Sequence, residues 1–256
     1  MSITKLADKI NEAKAEGRLG LIPFLPGGYP NRERFWKEIL ELDENGADVI
    51  EIGMPFSDPV ADGPVVEAAS LKCLADGINL KWILEGLAEH RAKIDAGVLL
   101  MGYYNPVLQY GLEKFAKDAQ AAGVNGLIIA DLPFEEGADF RDLLAEYDIA
   151  LIPLVGLNTE PERMALYSKG GNGFCYYVSV LGTTGGTASL PVEVKEGLAK
   201  AQEVFDIPVA LGFGLKEPSQ LKELEGVVDA AVFGSALIKH IDSGKSSAEF
   251  MKVWKK

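Results

Sequence analysis

Glu51, Asp58 and Asp62 fall within one stretch, Asp48-Val-Ile-Glu-Ile-Gly-Met-Pro-Phe-Ser-Asp-Pro-Val-Ala-Asp-Gly-Pro64. Val49 to Gly53 reads as a short buried strand with Glu51 at its centre. Pro55, Pro59, Gly63 and Pro64 make the remainder a loop, which carries Asp58 and Asp62. An ionised carboxylate in an apolar strand is costly unless it is paired or protonated. Glu51 therefore either closes a structural ion pair or holds a raised pKa suited to giving up and taking back a proton. Three carboxylates in one strand–loop unit favour the acid–base alternative.

A second constellation lies late in the chain. Gly212-Phe-Gly214 lets backbone approach an anion closely, because no side chain intervenes. Gly234-Ser235 opens a helix, where free N–H groups and the helix dipole favour negative charge. Gly182-Thr-Thr-Gly-Gly-Thr187 supplies further backbone donors. None of these loops carries a lysine or arginine, so main-chain dipoles would hold a phosphate. Phe24, Leu100, Tyr103, Leu127, Tyr176 and Phe213 are candidate apolar walls, with ordinary core packing as the alternative for each aromatic.

The elements that must position these groups alternate strand and helix. An amphipathic helix over 5–16 precedes a strand over 19–24. Further strands are predicted over 49–53, 98–101, 126–130, 149–155, 173–178, 209–212 and 230–233. The strand over 149–155, fifth in the chain counting 19–24, contains Pro153, which cannot donate to a sheet ladder. Residues 102–106 read as a loop, and helices are expected over 135–147 and 218–224. Near-continuous apolar strands separated by helices predict a parallel sheet buried on both faces. Strand count and length predict a single-domain (β/α)8 TIM barrel spanning 1–256, with an extra N-terminal helix. In such a barrel the loops after the strands carry chemistry, and those after the seventh and eighth strands bind phosphate. Glu51 shares its side of the strand with Val49 and Gly53, but strand alternation alone leaves open which side faces inward.

Composition narrows the function classes. A formal charge of −13 argues against a nucleic-acid or anionic-membrane partner. No apolar run approaches the length of a membrane span, and Met1 to Lys9 lacks the apolar core of a signal peptide. Cys73 and Cys175 have no metal-type spacing, which points to a reducing cytoplasm and no disulfide framework. His90 and His240 lie in charged helical stretches and read as solvated, so no metal site and no histidine-dependent triad is expected.

The block from Ile50 to Pro64 resembles the signature of the tryptophan synthase alpha subunit family. Leu21-Ile-Pro-Phe24, Met101-Gly-Tyr-Tyr-Asn-Pro106, Ala130-Asp-Leu-Pro133, Tyr176-Tyr-Val-Ser179, Gly182-Thr-Thr-Gly185, Gly212-Phe-Gly214 and Phe233-Gly-Ser-Ala236 agree in the same order. The resemblance covers roughly 19–241. It implies a carbon–carbon lyase that splits indole-3-glycerol phosphate into indole and D-glyceraldehyde 3-phosphate. It further implies that Glu51 protonates indole C3 and deprotonates the side-chain hydroxyl, while Asp62 accepts the indole N–H. Phe24, Leu100, Leu127 and Tyr176 then wall the indole, and Thr184 touches the acidic loop on closure. Gly185, Gly214, Gly234 and Ser235 contact phosphate. The family implies a beta subunit as partner in an α2β2 assembly, passing indole on for L-tryptophan synthesis. Pyridoxal phosphate is expected only in that beta subunit, so this chain is expected to need no cofactor. Pro55 to Pro59 and Asn105-Pro106 would lie at the contact.

Departures from the family pattern are few. Gly102 stands where threonine is common and is expected to loosen its loop, and Glu67 stands where glutamine is frequent. Two other functions compete with this one: a different phosphosugar barrel, and a non-catalytic barrel acting as an activating subunit. The former should carry acidic groups on its first and fifth strands, and 19–24 and 149–155 carry none. The latter has no use for both Glu51 and Asp62.

Overall fold

The computed structural model describes residues 4–179, 190–212 and 214–255. The first half runs α1 (Lys5–Ala15), β1 (Gly20–Pro26), α2 (Arg32–Glu44), β2 (Val49–Gly53), α3 (Pro64–Ala75), α4 (Leu80–His90), β3 (Gly97–Gly102), α5 (Tyr104–Tyr110), α6 (Leu112–Ala122) and β4 (Gly126–Ile129). The second half runs α7 (Ala138–Glu146), β5 (Ala150–Leu151), β6 (Leu154–Gly156), α8 (Pro161–Gly170), β7 (Cys175–Val178), α9 (Val192–Val204), β8 (Val209–Gly212), β9 (Ala230–Phe233), α10 (Ser235–Asp242) and α11 (Ser247–Trp254).

All pairings between these strands are parallel, in the order β5-β4-β3-β2-β1-β9-β8-β7-β6. The two ends of this sheet, β5 and β6, come from one stretch of chain. The Ile152 N–H donates to Leu127 at 3.0 Å on one side, and the Pro153 carbonyl accepts from Tyr176 N–H at 3.0 Å on the other. That stretch closes the sheet into the expected (β/α)8 barrel. The predicted fifth strand is split because Pro153 has no N–H to continue the ladder.

Two apolar layers sort the strand residues. Ile22, Val49, Leu99, Ile128, Ile152, Phe174, Ala210 and Val232 form the interior cluster. Leu6 and Ile10 of α1 belong to it as well, so the N-terminal helix plugs the barrel floor. Glycines make room for that plug. A Cβ at Gly97 would sit 2.7 Å from Leu6, and one at Gly126 would sit 2.5 Å from it. The outer cluster, between sheet and helices, holds Ile50, Ile52, Val98, Leu100, Leu127 and Ile129.

Three local expectations are corrected. Residues 104–110 form a helix rather than a loop. Pro106 is tolerated there because it falls in the first turn, where its missing N–H costs no intrahelical bond. The free Tyr104 N–H donates to the Asp131 carboxylate at 2.7 Å. Helix α7 begins at Ala138, not 135, because Glu135 turns away to pair with Arg163 at 2.7 Å and accept the Tyr167 hydroxyl at 2.9 Å. Residues 218–223 wind as a 3-10 helix. Neither histidine is fully solvated: His90 stacks on Trp36 at 4.9 Å, and His240 meets Phe250 edge-on at 5.3 Å.

Candidate active site

Glu51 shares the parity of Val49, and Val49 belongs to the interior cluster, so the Glu51 side chain points into the barrel. It is 1% exposed, and Oε2 has no hydrogen-bond partner among the described residues. Burial, reinforced by the Asp62 charge, pushes its pKa up to about 8. A carboxyl in this state is protonated at neutral pH and can release its proton at modest cost. The structural ion pair weighed from the sequence is absent among the described residues.

Asp62 lies at the end of the loop that follows β2, one residue before the Gly63 cap of α3. Burial lifts its pKa to about 6, the Tyr103 hydroxyl donating to it acts in the opposite direction, and Glu67 raises it further. Tyr103 is 2% exposed; its hydroxyl also accepts the Ala61 N–H at 3.0 Å, and its ring lies 5.2 Å from Phe56. Sequence reasoning placed Tyr103 only as an apolar wall, because a phenol's hydrogen-bond partners cannot be read from spacing. Asp58, the remaining carboxylate of the block, is exposed and accepts from the Ser57 hydroxyl at 2.6 Å.

Tyr176 extends from β7 towards the same space. Its hydroxyl would lie 2.4 Å from a Cβ at Gly212, and burial first, then the charges of Glu51 and Asp62, hold its pKa well above the ordinary phenol value. Phe24 is wedged at the barrel mouth: a Cβ at Gly53 would fall 2.7 Å from its ring, and one at Gly234 2.6 Å from it. Phe24 is also the register partner of Glu51. One aromatic ring thus spans from the carboxylate strand to the start of α10.

Leu100 and Leu127 do not line this space. They are register partners on β3 and β4, and both belong to the outer cluster beneath the helices. The inward positions one residue further on are Met101 and Ile128, themselves register partners. Met101 partners Gly53, so it sits at the rim two residues beyond Glu51. The signal that could have found them is the small-residue seat of Leu6: Gly97 and Gly126 face inward, and Met101 and Ile128 share their parity. Leu154 of β6, partner of Tyr176, is likewise inward and went unpredicted.

Gly102 does not loosen its loop. It is buried at the end of β3, and a Cβ there would meet the Met54 side chain at 2.8 Å and the Met54 carbonyl at 3.3 Å. The missing side chain lets the β2 and β3 loops pack closely, with the Met54 N–H donating to Met101 at 2.7 Å.

Across the mouth, Gly214 has φ +63, a conformation that favours glycine, with open space around it. Gly234 caps α10, with no side chain occupying the free N–H groups of the first turn, and Ser235 begins the helix half-buried. These amides form a cradle suited to an anion. Thr184, Gly185, the rest of the 182–187 loop and Phe213 lie outside the described residues. Among the described residues no group of three or more His, Cys, Asp or Glu could hold a metal ion. No helix of the described residues is long and apolar enough to cross a membrane.

A family model described as tryptophan synthase alpha chain matches residues 10–254. The tryptophan synthase alpha chain of Maridesulfovibrio salexigens is 92% identical over 255 residues, covering 100% of both chains. That of Solidesulfovibrio magneticus is 56% identical, again covering 100% of both. Among solved structures, the tryptophan synthase alpha chain from Legionella pneumophila superposes with TM-score 0.88 at 30% identity, covering 98% of this chain and 96% of that one. An aminoacrylate-bound tryptophan synthase from M. tuberculosis gives TM-score 0.87 at 29% identity, with coverage of 98% and 96%.

Proposed function

The chain belongs to the tryptophan synthase alpha chain family, and from that membership we propose that Glu51 and Asp62 drive its carbon–carbon lyase reaction, the cleavage of indole-3-glycerol phosphate to indole and D-glyceraldehyde 3-phosphate. The observation that carries this assignment is the buried Glu51 carboxyl, aimed into the barrel with one oxygen unpartnered and its pKa near 8.

A carbanion at indole C3 is a poor leaving group, so C3 must first be protonated. Protonated Glu51 delivers that proton, which leaves an iminium-like ring able to accept the electrons of the breaking C–C bond. The resulting carboxylate then takes the proton of the hydroxyl on the carbon attached to the ring. That carbon becomes the aldehyde, the ring leaves as indole, and Glu51 ends the cycle protonated as it began. Asp62, ionised above about 6, accepts the ring N–H, where positive charge develops during the reaction. Such an acceptor stabilises the transition state more than the ground state. Phe24, Met101, Ile128, Leu154 and Tyr176 supply the apolar walls, with Met101 and Ile128 taking the place of Leu100 and Leu127. Gly214, Gly234 and Ser235 bind the phosphate through main-chain amides, with Gly185 added from the 182–187 loop.

The partner is a beta subunit. Exposed apolar side chains support a contact on the barrel's mouth: Val60 is 87% exposed on the acidic loop, Leu108 is 49% exposed on α5 and Leu157 is 46% exposed after β6. Pro55 to Pro59 and Asn105-Pro106 sit beside them. Pyridoxal phosphate belongs to that partner, and the reaction here runs on this chain's own side chains in the cytoplasm. The reading takes 1–256 as one folding unit, since β1 pairs with both β2 and β9 and so joins the two halves in one sheet.

Steady-state release of indole by the purified chain tests the assignment. Glu51→Gln is expected to lower turnover at least about 1000-fold, because one group serves as both acid and base, while inorganic phosphate still binds. Wild-type turnover by this variant would refute the role of Glu51.

A further inference from the structure

The loop from Pro55 to Gly63 carries Asp62, yet the ties within it are short-range. Within it the Val60 N–H reaches the Asp58 carbonyl at 2.9 Å and the Asp62 N–H reaches the Pro59 carbonyl at 3.0 Å. Tyr103 ties the Asp62 end of this loop to the barrel. Its hydroxyl accepts the N–H of Ala61, the residue before Asp62, at 3.0 Å, and it favours the charged form of the Asp62 carboxyl. The tyrosine itself is firmly seated. It is 2% exposed, and Gly102 before it is packed on Met54 and accepts the Ala130 N–H at 2.9 Å. Tyr104 after it is held by Asp131 at 2.7 Å.

We propose that Tyr103 is a positioning residue for the lyase reaction: its hydroxyl, bonded to the Ala61 N–H, holds the end of the loop so that the adjacent Asp62 carboxylate meets the indole N–H. This inference rests on the assignment of Asp62 above. The titratable groups around Asp62 come from several elements: Glu51 from β2, Glu67 from α3, Tyr176 from β7, and Asp131, beside Tyr103, from the loop after β4. All are carboxylic or phenolic. Burial and Glu67 disfavour the Asp62 charge, and the Tyr103 hydroxyl opposes them. Glu67, which stands where the family often has glutamine, makes that donor more important in this chain.

Tyr103→Phe removes the hydroxyl and keeps the ring against Phe56. A hydrogen bond to a charged group made in the transition state predicts a fall in kcat of about 10- to 100-fold with KM changed less than about threefold. The acid limb of the kcat/KM profile is expected to move up from about 6, since the donor that favours the charged form is gone. The carboxyl-carbon NMR signal of Asp62, assigned with Asp62→Asn, should titrate upward in the same variant, a shift that a merely looser loop would not produce. In the Asp62→Asn background, Tyr103→Phe should alter residual kcat/KM by less than about twofold, the mark of a residue acting through Asp62. No turnover by the wild-type chain overturns the lyase assignment and this inference with it. Wild-type turnover accompanied by an unchanged profile and an unmoved Asp62 titration in Tyr103→Phe overturns this inference alone.

Discussion

In the proposed reaction Glu51 is an acid and then a base within one turnover, and Asp62 is charged throughout. Their environments push the two carboxyls to different values although Glu51 feels the Asp62 charge. Glu51, 1% exposed, is raised to about 8, whereas Asp62, with a phenol donating to it, rises only to about 6. Pairs of titratable groups separated in this way divide the acid–base labour of a site. The sign of the pH dependence follows. Under the proposed roles activity requires Asp62 ionised and is expected to fall as pH drops through about 6; it requires Glu51 protonated at the start and is expected to fall as pH rises through about 8. The kcat/KM of the isolated chain is therefore expected to be bell-shaped, with the interacting pair setting both limbs. A profile flat from pH 5 to pH 9 would contradict this division of roles.

At the scale of elements, the two ends of the barrel do different work. The floor is closed by α1, whose Leu6 and Ile10 are fully buried among the interior residues. The mouth is left to the loops after β2, β3, β8 and β9. Leu6→Ala empties the space between Gly97, Gly126 and Gly173, which have no side chains to fill it. A cost of about 3 kcal/mol in unfolding free energy is expected, measured by denaturant titration. Turnover per folded molecule should stay within about twofold, because the plug lies at the opposite end from Glu51. A large loss of kcat at full folding would show the two ends to be coupled.

At the scale of the whole molecule, the mouth has two tasks, chemistry within and docking around it. Val60 and Leu157, on loops, and Leu108, on helix α5, leave apolar surface exposed beside the site. Exposed apolar patches of this kind mark interaction surfaces. The same acidic loop carries Val60 and Asp62, so a partner seated on Val60 also bears on the residue proposed to contact the substrate. Mixing the chain with a beta subunit is expected to give a complex by gel filtration and to raise indole release. Leu108→Asp, which leaves the barrel interior untouched, should weaken that complex at least about tenfold. Equal affinity of this variant would remove α5 from the contact.

The sequence by itself determined the alternation of strands and helices and the family, and it singled out Glu51, Asp62, Gly214 and Gly234 as the site proposed above. These are local properties: apolar runs, turn residues and the cost of a carboxylate among them. Helix α5 escaped because its first N–H is satisfied by Asp131 from the next loop, a contact invisible to spacing. The tertiary structure alone decided which side of each strand faces the substrate. In this barrel both faces of the sheet are apolar, one packed on α1 and its interior neighbours, the other under the outer helices. Alternation then fixes two sets of residues but not which set points in. A shift of one residue exchanges Leu100 and Leu127 for Met101 and Ile128, and only the closure of the barrel around Leu6 breaks that tie.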